Sequence, residues 1–330
     1  MAPERPQPRS KLQEFFPNTK APVIISAPML GISNGTLAAH VSKAGGLGMI
    51  PGGLDFKPGS SQVATIENEL KAARSVLGLT EMTLTPAPVG VGFLTLDPSV
   101  VHFRETVLPV LEKYLPQAVW LFAPDPKAAQ RAHPGIVEAC HDHGIMVFVQ
   151  VGTVAAAREA ARDGADVIVA QGVDAGGHQF AAGAGVISLV PEVRAMLDDD
   201  FMGKDVALVA AGGIADPSAV VAAIALELYD GRAIITKSYE DHRSGMSVEE
   251  NKTKFGEAKD AGDNSRQVTW AGTGVGLVKD AIPAADIVRN TREAAKQRLQ
   301  ALRFVFDDEG KESKDKSWVK ELGHTLYKHK

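Results

Sequence analysis

The sequence has very little cysteine and no long apolar run, and each absence narrows the classes of protein that the chain can belong to. Cys140 is the one cysteine in 330 residues, which excludes an intramolecular disulfide and fits a reducing, cytoplasmic compartment. No cysteine and histidine cluster has the spacing of a zinc site, so we expect no metal. Residues 1–20 lack the apolar core of a signal peptide, and no later stretch approaches a membrane span. The net charge of -5 comes without a basic stripe, which argues against nucleic acid as a partner and favours a small molecule.

Short β-branched runs alternate along the chain with longer segments of helical period, the pattern of βα units around a parallel sheet. The continuously apolar strands indicate a sheet covered on both faces, as in a (β/α)8 barrel or a doubly wound sheet. Their number and regularity favour an α/β fold of the TIM-barrel type. Strands are predicted at residues 23–27, 47–50, 88–94, 118–122, 145–150, 166–171 and 206–211. Helices are predicted at residues 62–77, 106–114, 127–143, 153–163 and 217–226.

The active site of such a barrel lies at the carboxyl ends of its strands, where this chain places two glycine pairs. Glycine lets the backbone approach a ligand and lets N–H groups converge on an anion. The pair at 212–213 precedes an Asp-Pro helix start at 216–217, which is the form of a barrel phosphate site, although one pair alone is more typical of a plain turn. A second pair at 176–177 follows the neighbouring strand and precedes His178. Together they predict a phosphate-bearing cofactor beside an acid/base group.

Five motifs in this order resemble the nitronate monooxygenases, formerly called 2-nitropropane dioxygenases, which are FMN-dependent barrels, and their fungal branch in particular. The resemblance covers roughly residues 20–300. The motifs are APM at 27–29, VGVGFL at 89–94, QVGTVAAAREAARDGADVIVAQGVDAGGHQF at 150–180, AAGGIAD at 210–216 and WAGTGVGLV at 270–278. The implied substrates are a nitro compound and O2, and the implied products are a carbonyl compound and nitrite.

The resemblance implies a role for each matched position. His178 is expected to be the catalytic base, since an imidazole can take a proton from the carbon next to a nitro group near neutral pH; a histidine after a glycine pair would otherwise be interpreted as a loop residue. The positions expected to bind FMN are Ala27, Pro28, Met29, Gln150, Gln171, Gly172, Asp174, Ala175, Gly176, Gly177, Gly212, Gly213 and Ile214. The positions expected next to the substrate are Phe93, Gly272, Thr273 and Gly274.

The chain departs from the family pattern after residue 227, where strand eight and its phosphate turn are expected. We predict that this strand is either missing or replaced by the short run at 233–236, whose end could offer a hydroxyl and a cation to the phosphate. The predicted organisation is an extension at 1–20, a flavin-binding barrel at 21–303 and a charged tail at 304–330. The barrel ends in an amphipathic helix at 284–303, with its apolar side at Ile287, Ala294, Leu299 and Leu302.

Three functions are compatible with these residues. The first is a nitronate monooxygenase that uses His178 as its base. The second is an oxidoreductase resembling the flavin-dependent enoyl reductases, which share the barrel and take electrons from a reduced nicotinamide. The third is an inactive, truncated barrel that binds flavin weakly or not at all. The residues do not predict the oligomeric state.

Overall fold

The computed structural model describes residues 10–80, 84–125, 131–225, 244–261 and 280–306, together with single positions at 237, 241, 263 and 265. Its centre is a six-stranded parallel sheet in which each strand pairs with the next one in sequence. A doubly wound sheet reverses its strand order, whereas a barrel keeps it, so this order identifies the barrel type. The strands are β1 (Gly48–Gly53), β2 (Ala87–Leu94), β3 (Pro116–Phe122), β4 (Met146–Val151), β5 (Val167–Gln171) and β6 (Ala207–Ala211).

Helices connect the strands and cover the outer face of the sheet. They are α1 (Lys11–Phe15), α2 (Gly35–Lys43), α3 (Ser61–Leu77), a 3-10 helix (Pro98–His102), α4 (Phe103–Thr106), α5 (Leu108–Tyr114), α6 (His133–His141), α7 (Val154–Arg162), α8 (Val186–Asp200), α9 (Pro217–Ala225), α10 (Val248–Asp260) and α11 (Ala284–Phe306). Several begin at a side-chain cap, as at Asn34, Ser60 and Thr153, whose oxygens accept backbone N–H groups of α2, α3 and α7. The predicted helix at 127–143 is described only from residue 131 onward.

Alternate residues of the strands face two different cores. Ile50, Val91, Leu121 and Ile168 belong to the outer cluster, which packs against the helices. The inner cluster draws residues from both ends of the sheet, so the sheet curves around a common interior. It comprises Phe16, Leu47, Met49, Ala118, Trp120, Phe122, Phe148, Val167, Val169 and Ala207. Phe16 follows α1 and contacts Phe148 with 5.6 Å between ring centroids, which closes one end of this interior.

The predicted first strand, at 23–27, is wrong as a regular strand. This segment makes a single parallel bridge, between Ile25 and Leu47. The backbone N–H of Met49 bonds the Ser26 hydroxyl at 3.0 Å, so a side chain takes a donor that a continuous ladder would give to a carbonyl. Pro22 and Pro28, which have no N–H, flank the segment on either side.

The described sheet does not close into a full barrel, because no strand among the described residues lies between β6 and residues 23–27. Helix α11 spans this side of the molecule: Val288 packs with α2, and Ala295 packs with Val220 and Val221 of α9. The buried Arg292 of α11 donates hydrogen bonds to four carbonyl oxygens, those of Lys20, Pro22, Ala44 and Gly45. The proposed substitute strand at 233–236 lies outside the described residues. None of the helices in the described residues has the length and hydropathy of a membrane span.

Candidate active site

The carboxyl ends of the strands bring the loop after residue 27 onto β2. A side-chain carbon built on Gly92 would lie 2.3 Å from Cγ of Pro28, so this approach requires glycine. Ala27 and Met29 are exposed beside Pro28. Ser33 holds the loop in place, because its hydroxyl accepts a hydrogen bond from the N–H of Met29 at 2.8 Å. A rigid, partly apolar wall therefore borders the open end of the sheet.

Two glutamines lie at the carboxyl ends of the neighbouring strands on the interior side of the sheet, Gln150 as the penultimate residue of β4 and Gln171 as the last residue of β5. The side chain of Gln150 is buried, and its Oε1 accepts a hydrogen bond of 2.9 Å from the indole Nε1 of Trp120. Trp120 itself stacks on Phe148 with 5.7 Å between ring centroids and 2° between ring planes. This arrangement fixes the orientation of the Gln150 amide, so that Nε2 is the group left to donate toward a ligand.

In the part of the chain that the structure describes, Gln171 has one satisfied and one unsatisfied polar atom in the interior of the barrel. Its Nε2 donates to the carbonyl oxygen of His178 at 3.2 Å, which ties the histidine loop to the end of β5. Its Oε1 is buried and has no hydrogen-bond partner among the described residues. A buried amide oxygen without a donor is unfavourable by about 1–3 kcal/mol, so a ligand donor at this position would be stabilising.

The loop after β5 is anchored on both sides of the exposed His178. Asp174 is 1% exposed, and its Oδ2 accepts the N–H of Val186 at 2.9 Å, at the start of α8. Gly172 allows this packing, because a side-chain carbon there would lie 2.2 Å from the Val186 nitrogen. Asp174 therefore connects the loop to the helix that follows it.

The two glycine turns predicted to bind phosphate lie against each other. Gly212 has φ +95°, and a side-chain carbon on it would lie 2.9 Å from the carbonyl oxygen of Gly172 and 3.0 Å from the nitrogen of Ala175. Gly177 and Gly213 also have positive φ values, which favour glycine. Helix α9 begins directly after this turn, where Asp216 Oδ1 accepts the N–H of Ala219 at 2.7 Å. The arrangement places two glycine turns next to a helix N-terminus, which suits an anion.

Not every predicted site residue reaches this end of the barrel. Phe93 lies in the outer cluster, with its ring 5.8 Å from that of Phe56 and 5.5 Å from that of Phe103. Its position in β2 gives it the opposite parity from Gly92, so it points toward the helices. Ile214 packs against the cluster formed by Val220, Val221 and Ala295. Gly272, Thr273 and Gly274 lie outside the described residues.

Two groups at this end were not expected from the sequence. Trp120 lies on the inner face two residues before the end of β3, and its strand parity was the signal that could have identified it. His133, at the start of α6, is buried, and its Nε2 lies 2.8 Å from the hydroxyl of Thr95. The described residues contain no group of three or more His, Cys, Asp or Glu side chains that could hold a metal ion.

Comparison with known proteins gives consistent matches. The family model for nitronate monooxygenases matches residues 127–228, and the match ends where the sequence departs from the family pattern. A nitronate monooxygenase of Neurospora crassa is 49% identical over 355 residues, covering 89% of this chain and 94% of that protein. The nitronate monooxygenase npaC of Metarhizium robertsii is 30% identical, covering 89% of this chain and 96% of that protein. Because 89% of 330 residues is about 294, the Neurospora alignment contains about 60 positions that this chain lacks.

Solved structures show the same fold at low sequence identity. The structure of FabK from Thermotoga maritima has a TM-score of 0.66 at 20% identity, covering 91% of this chain and all of that one. A nitroalkane oxidase from Streptomyces ansochromogenes has a TM-score of 0.65 at 20% identity, covering 89% of this chain and all of that one. These similarities support the barrel architecture, although the described sheet is open.

Proposed function

Since the chain belongs to the nitronate monooxygenase family and is thus a flavin-dependent oxidoreductase, we propose that it oxidises nitronates and nitroalkanes with O2, using FMN. The products would be a carbonyl compound and nitrite. The observation that carries the proposal is the unpartnered Oε1 of Gln171, buried at the carboxyl end of β5 and tied to the loop that bears His178. No described residue supplies the donor that this oxygen requires, whereas a flavin offers both an imide N–H and ribityl hydroxyls.

The described residues offer a flavin a hydrogen-bond acceptor, a hydrogen-bond donor and an apolar wall. Gln171 supplies an acceptor and Gln150 a donor, both from the interior side of adjacent strands. The wall formed by residues 27–29 supplies apolar surface for a flat ring system. The bound flavin would accept the electrons of the substrate, and the protein would supply binding and orientation.

The phosphate of FMN would bind at the two glycine turns. Gly212 approaches Gly172 and Ala175 closely enough that only a residue without a side chain fits there. The N-terminus of α9 lies directly behind, and helix N-termini favour negative charge. We propose that residues 21–303 form one flavin-binding unit on this basis, and that it functions in the cytoplasm, as the cysteine content suggests.

His178 would act on neutral nitroalkanes as the base. The proton on the carbon next to the nitro group would move to an imidazole nitrogen, leaving the nitronate anion and an imidazolium. A nitronate supplied already as the anion needs no such transfer. The side chain of His178 is exposed, so a substrate can approach the ring from solvent. Its backbone carbonyl is held by Gln171.

Oxygen uptake tests this proposal against the alternatives. The FMN-loaded protein should consume O2 and release nitrite with propyl-2-nitronate and with 2-nitropropane, and should not oxidise NADH with an enoyl thioester. NADH oxidation dependent on the thioester, without nitrite formation, would identify the reductase chemistry instead. Absence of both reactions in a protein that fails to bind FMN would identify the truncated, inactive barrel.

A further inference from the structure

Phe180 follows the proposed base by two residues and is the side chain that returns its loop to the barrel. Its ring packs against Phe122 at the end of β3, with 5.7 Å between centroids and 62° between planes. It also belongs with the partly buried residues around the inner cluster. The loop that carries His178 therefore has an aromatic anchor on the interior side of the sheet.

The anchor fits into a space that a glycine leaves open at the end of β4. A side-chain carbon on Gly152 would lie 2.7 Å from Cβ of Phe180 and 2.9 Å from Cγ and Cδ2, too close for any other residue. Gly152 has no φ in the left-handed region, so its conformation does not require glycine. The close approach of Phe180 is the reason for glycine at this position.

The backbone around this contact is fixed on both sides. The N–H of Ala184 donates to the carbonyl oxygen of Gly152 at 3.3 Å, and the N–H of Val173 donates to the carbonyl oxygen of Ala184 at 3.1 Å. Gln171 holds the carbonyl of His178 from the other direction. His178 is therefore held at its own carbonyl by Gln171 and, two residues later, by the packed ring of Phe180.

We propose that Phe180 and Gly152 are positioning residues that hold His178 in place for proton abstraction. This inference rests on the proposed function of His178. Removing the ring frees the loop between Gln171 and Ala184, and a displacement of about 1 Å in a catalytic group can lower a rate about 100-fold. The loss should appear with neutral nitroalkane, where His178 takes a proton, and should be small with a preformed nitronate.

The experiment compares Phe180→Ala, Phe180→Leu and Gly152→Ala as full-length, FMN-loaded proteins. Phe180→Ala should lower kcat with 2-nitropropane by about 10- to 100-fold and with propyl-2-nitronate by less than about threefold. Phe180→Leu should recover part of the loss. Gly152→Ala, which pushes the ring out, should resemble Phe180→Ala, and the double variant should be little worse than either single one, because both remove the same contact.

Phe201→Ala is the matched control, since Phe201 is a buried phenylalanine that follows the C-terminal end of α8, whereas the site loop joins the N-terminal end of that helix. It should lower the melting temperature without changing the ratio of nitroalkane to nitronate turnover. Equal loss of both activities in Phe180→Ala, or no loss of either, would overturn the positioning role.

Hydrogen exchange supplies a readout that needs no turnover. Peptides within residues 172–185 should exchange about tenfold faster in Phe180→Ala and Gly152→Ala than in the wild type, and no faster in Phe201→Ala. Unchanged exchange in this segment would overturn the anchor even if the enzyme proved inactive. If the wild type turns over neither substrate, but exchange in this segment is faster in the two variants than in the wild type, the proposed function is refuted and the structural anchor stands.

Discussion

Protonation of the buried His133 should destabilise the fold as the pH falls below neutrality. The hydroxyl of Thr95 donates to the carbonyl oxygen of Phe122 at 3.0 Å, so its oxygen is free to accept from Nε2 of His133 at 2.8 Å. This contact joins the loops that follow β2 and β3 at the site end of the barrel. Burial lowers the pKa of His133 to about 4, and the charge of Arg131 acts in the same direction.

The direction and size of the effect follow from proton linkage. An unfolded histidine has a pKa of about 6.5, so between this value and the folded pKa of about 4 the unfolded chain binds the extra proton. The contribution to stability is therefore complete above pH 6.5 and is lost as the pH falls toward 4. At 1.36 kcal/mol per pH unit, His133 alone should lower the free energy of unfolding by about 2 kcal/mol between pH 7 and pH 5.

Urea unfolding at pH 7 and pH 5 measures this difference. His133→Gln keeps an amide donor for Thr95 and removes the titration, so its loss between the two pH values should be about 2 kcal/mol smaller than that of the wild type. His40→Gln, on an exposed side chain of α2, is the matched control and should show the wild-type difference. Equal pH dependence in His133→Gln and the wild type would refute the assignment of the effect to His133.

Three further predictions concern the flavin site, the base and the open side of the barrel. In a flavin fluorescence titration, Gly212→Ala should weaken FMN binding at least about tenfold more than Gly203→Ala. Both glycines have positive φ values, but only Gly212 approaches another turn. Equal losses of affinity would mean that backbone strain alone is responsible. His178→Ala should abolish turnover of 2-nitropropane and spare propyl-2-nitronate in oxygen-uptake assays, and parallel loss would contradict proton abstraction. Arg292→Met should lower the free energy of unfolding in urea by about 3 kcal/mol, because it leaves buried carbonyl groups without donors. The control Arg289→Met, on the exposed side of α11, should change this free energy by less than about 0.5 kcal/mol. Similar effects of the two substitutions would contradict an anchoring role for Arg292.

The sheet was largely predictable from the sequence because buried parallel strands have a strong local signal. The predicted strands at 118–122 and 166–171 are found as β3 and β5, and the glycine pair at 212–213 follows β6 as expected. The prediction of a regular strand at 23–27 failed because the segment pairs through the Ser26 side chain and has no second neighbouring strand among the described residues, and neither effect acts through local propensity.

The side chains that were placed wrongly were those whose environment is set by tertiary contacts. On α11 the predicted apolar side included Ile287, which is 47% exposed, whereas Val288 is 3% exposed. Arg292 lies on the same buried side, although arginine side chains are usually exposed to solvent. Four carbonyl oxygens, two from residues 20–22 and two from the residues directly after α2, accept hydrogen bonds from its guanidinium, and no short-range pattern reveals their position.

The flavin content of the purified protein tests most directly whether this chain forms a working flavin site. The visible spectrum should show oxidised flavin, and heat release should yield FMN at close to one molecule per chain, directly or after incubation with FMN. That result would mean that this chain binds its cofactor without the roughly 60 positions that the Neurospora relative carries. A colourless protein that takes up no added FMN would contradict the account, since it would show that the glycine turns and the two glutamines do not form a flavin site by themselves.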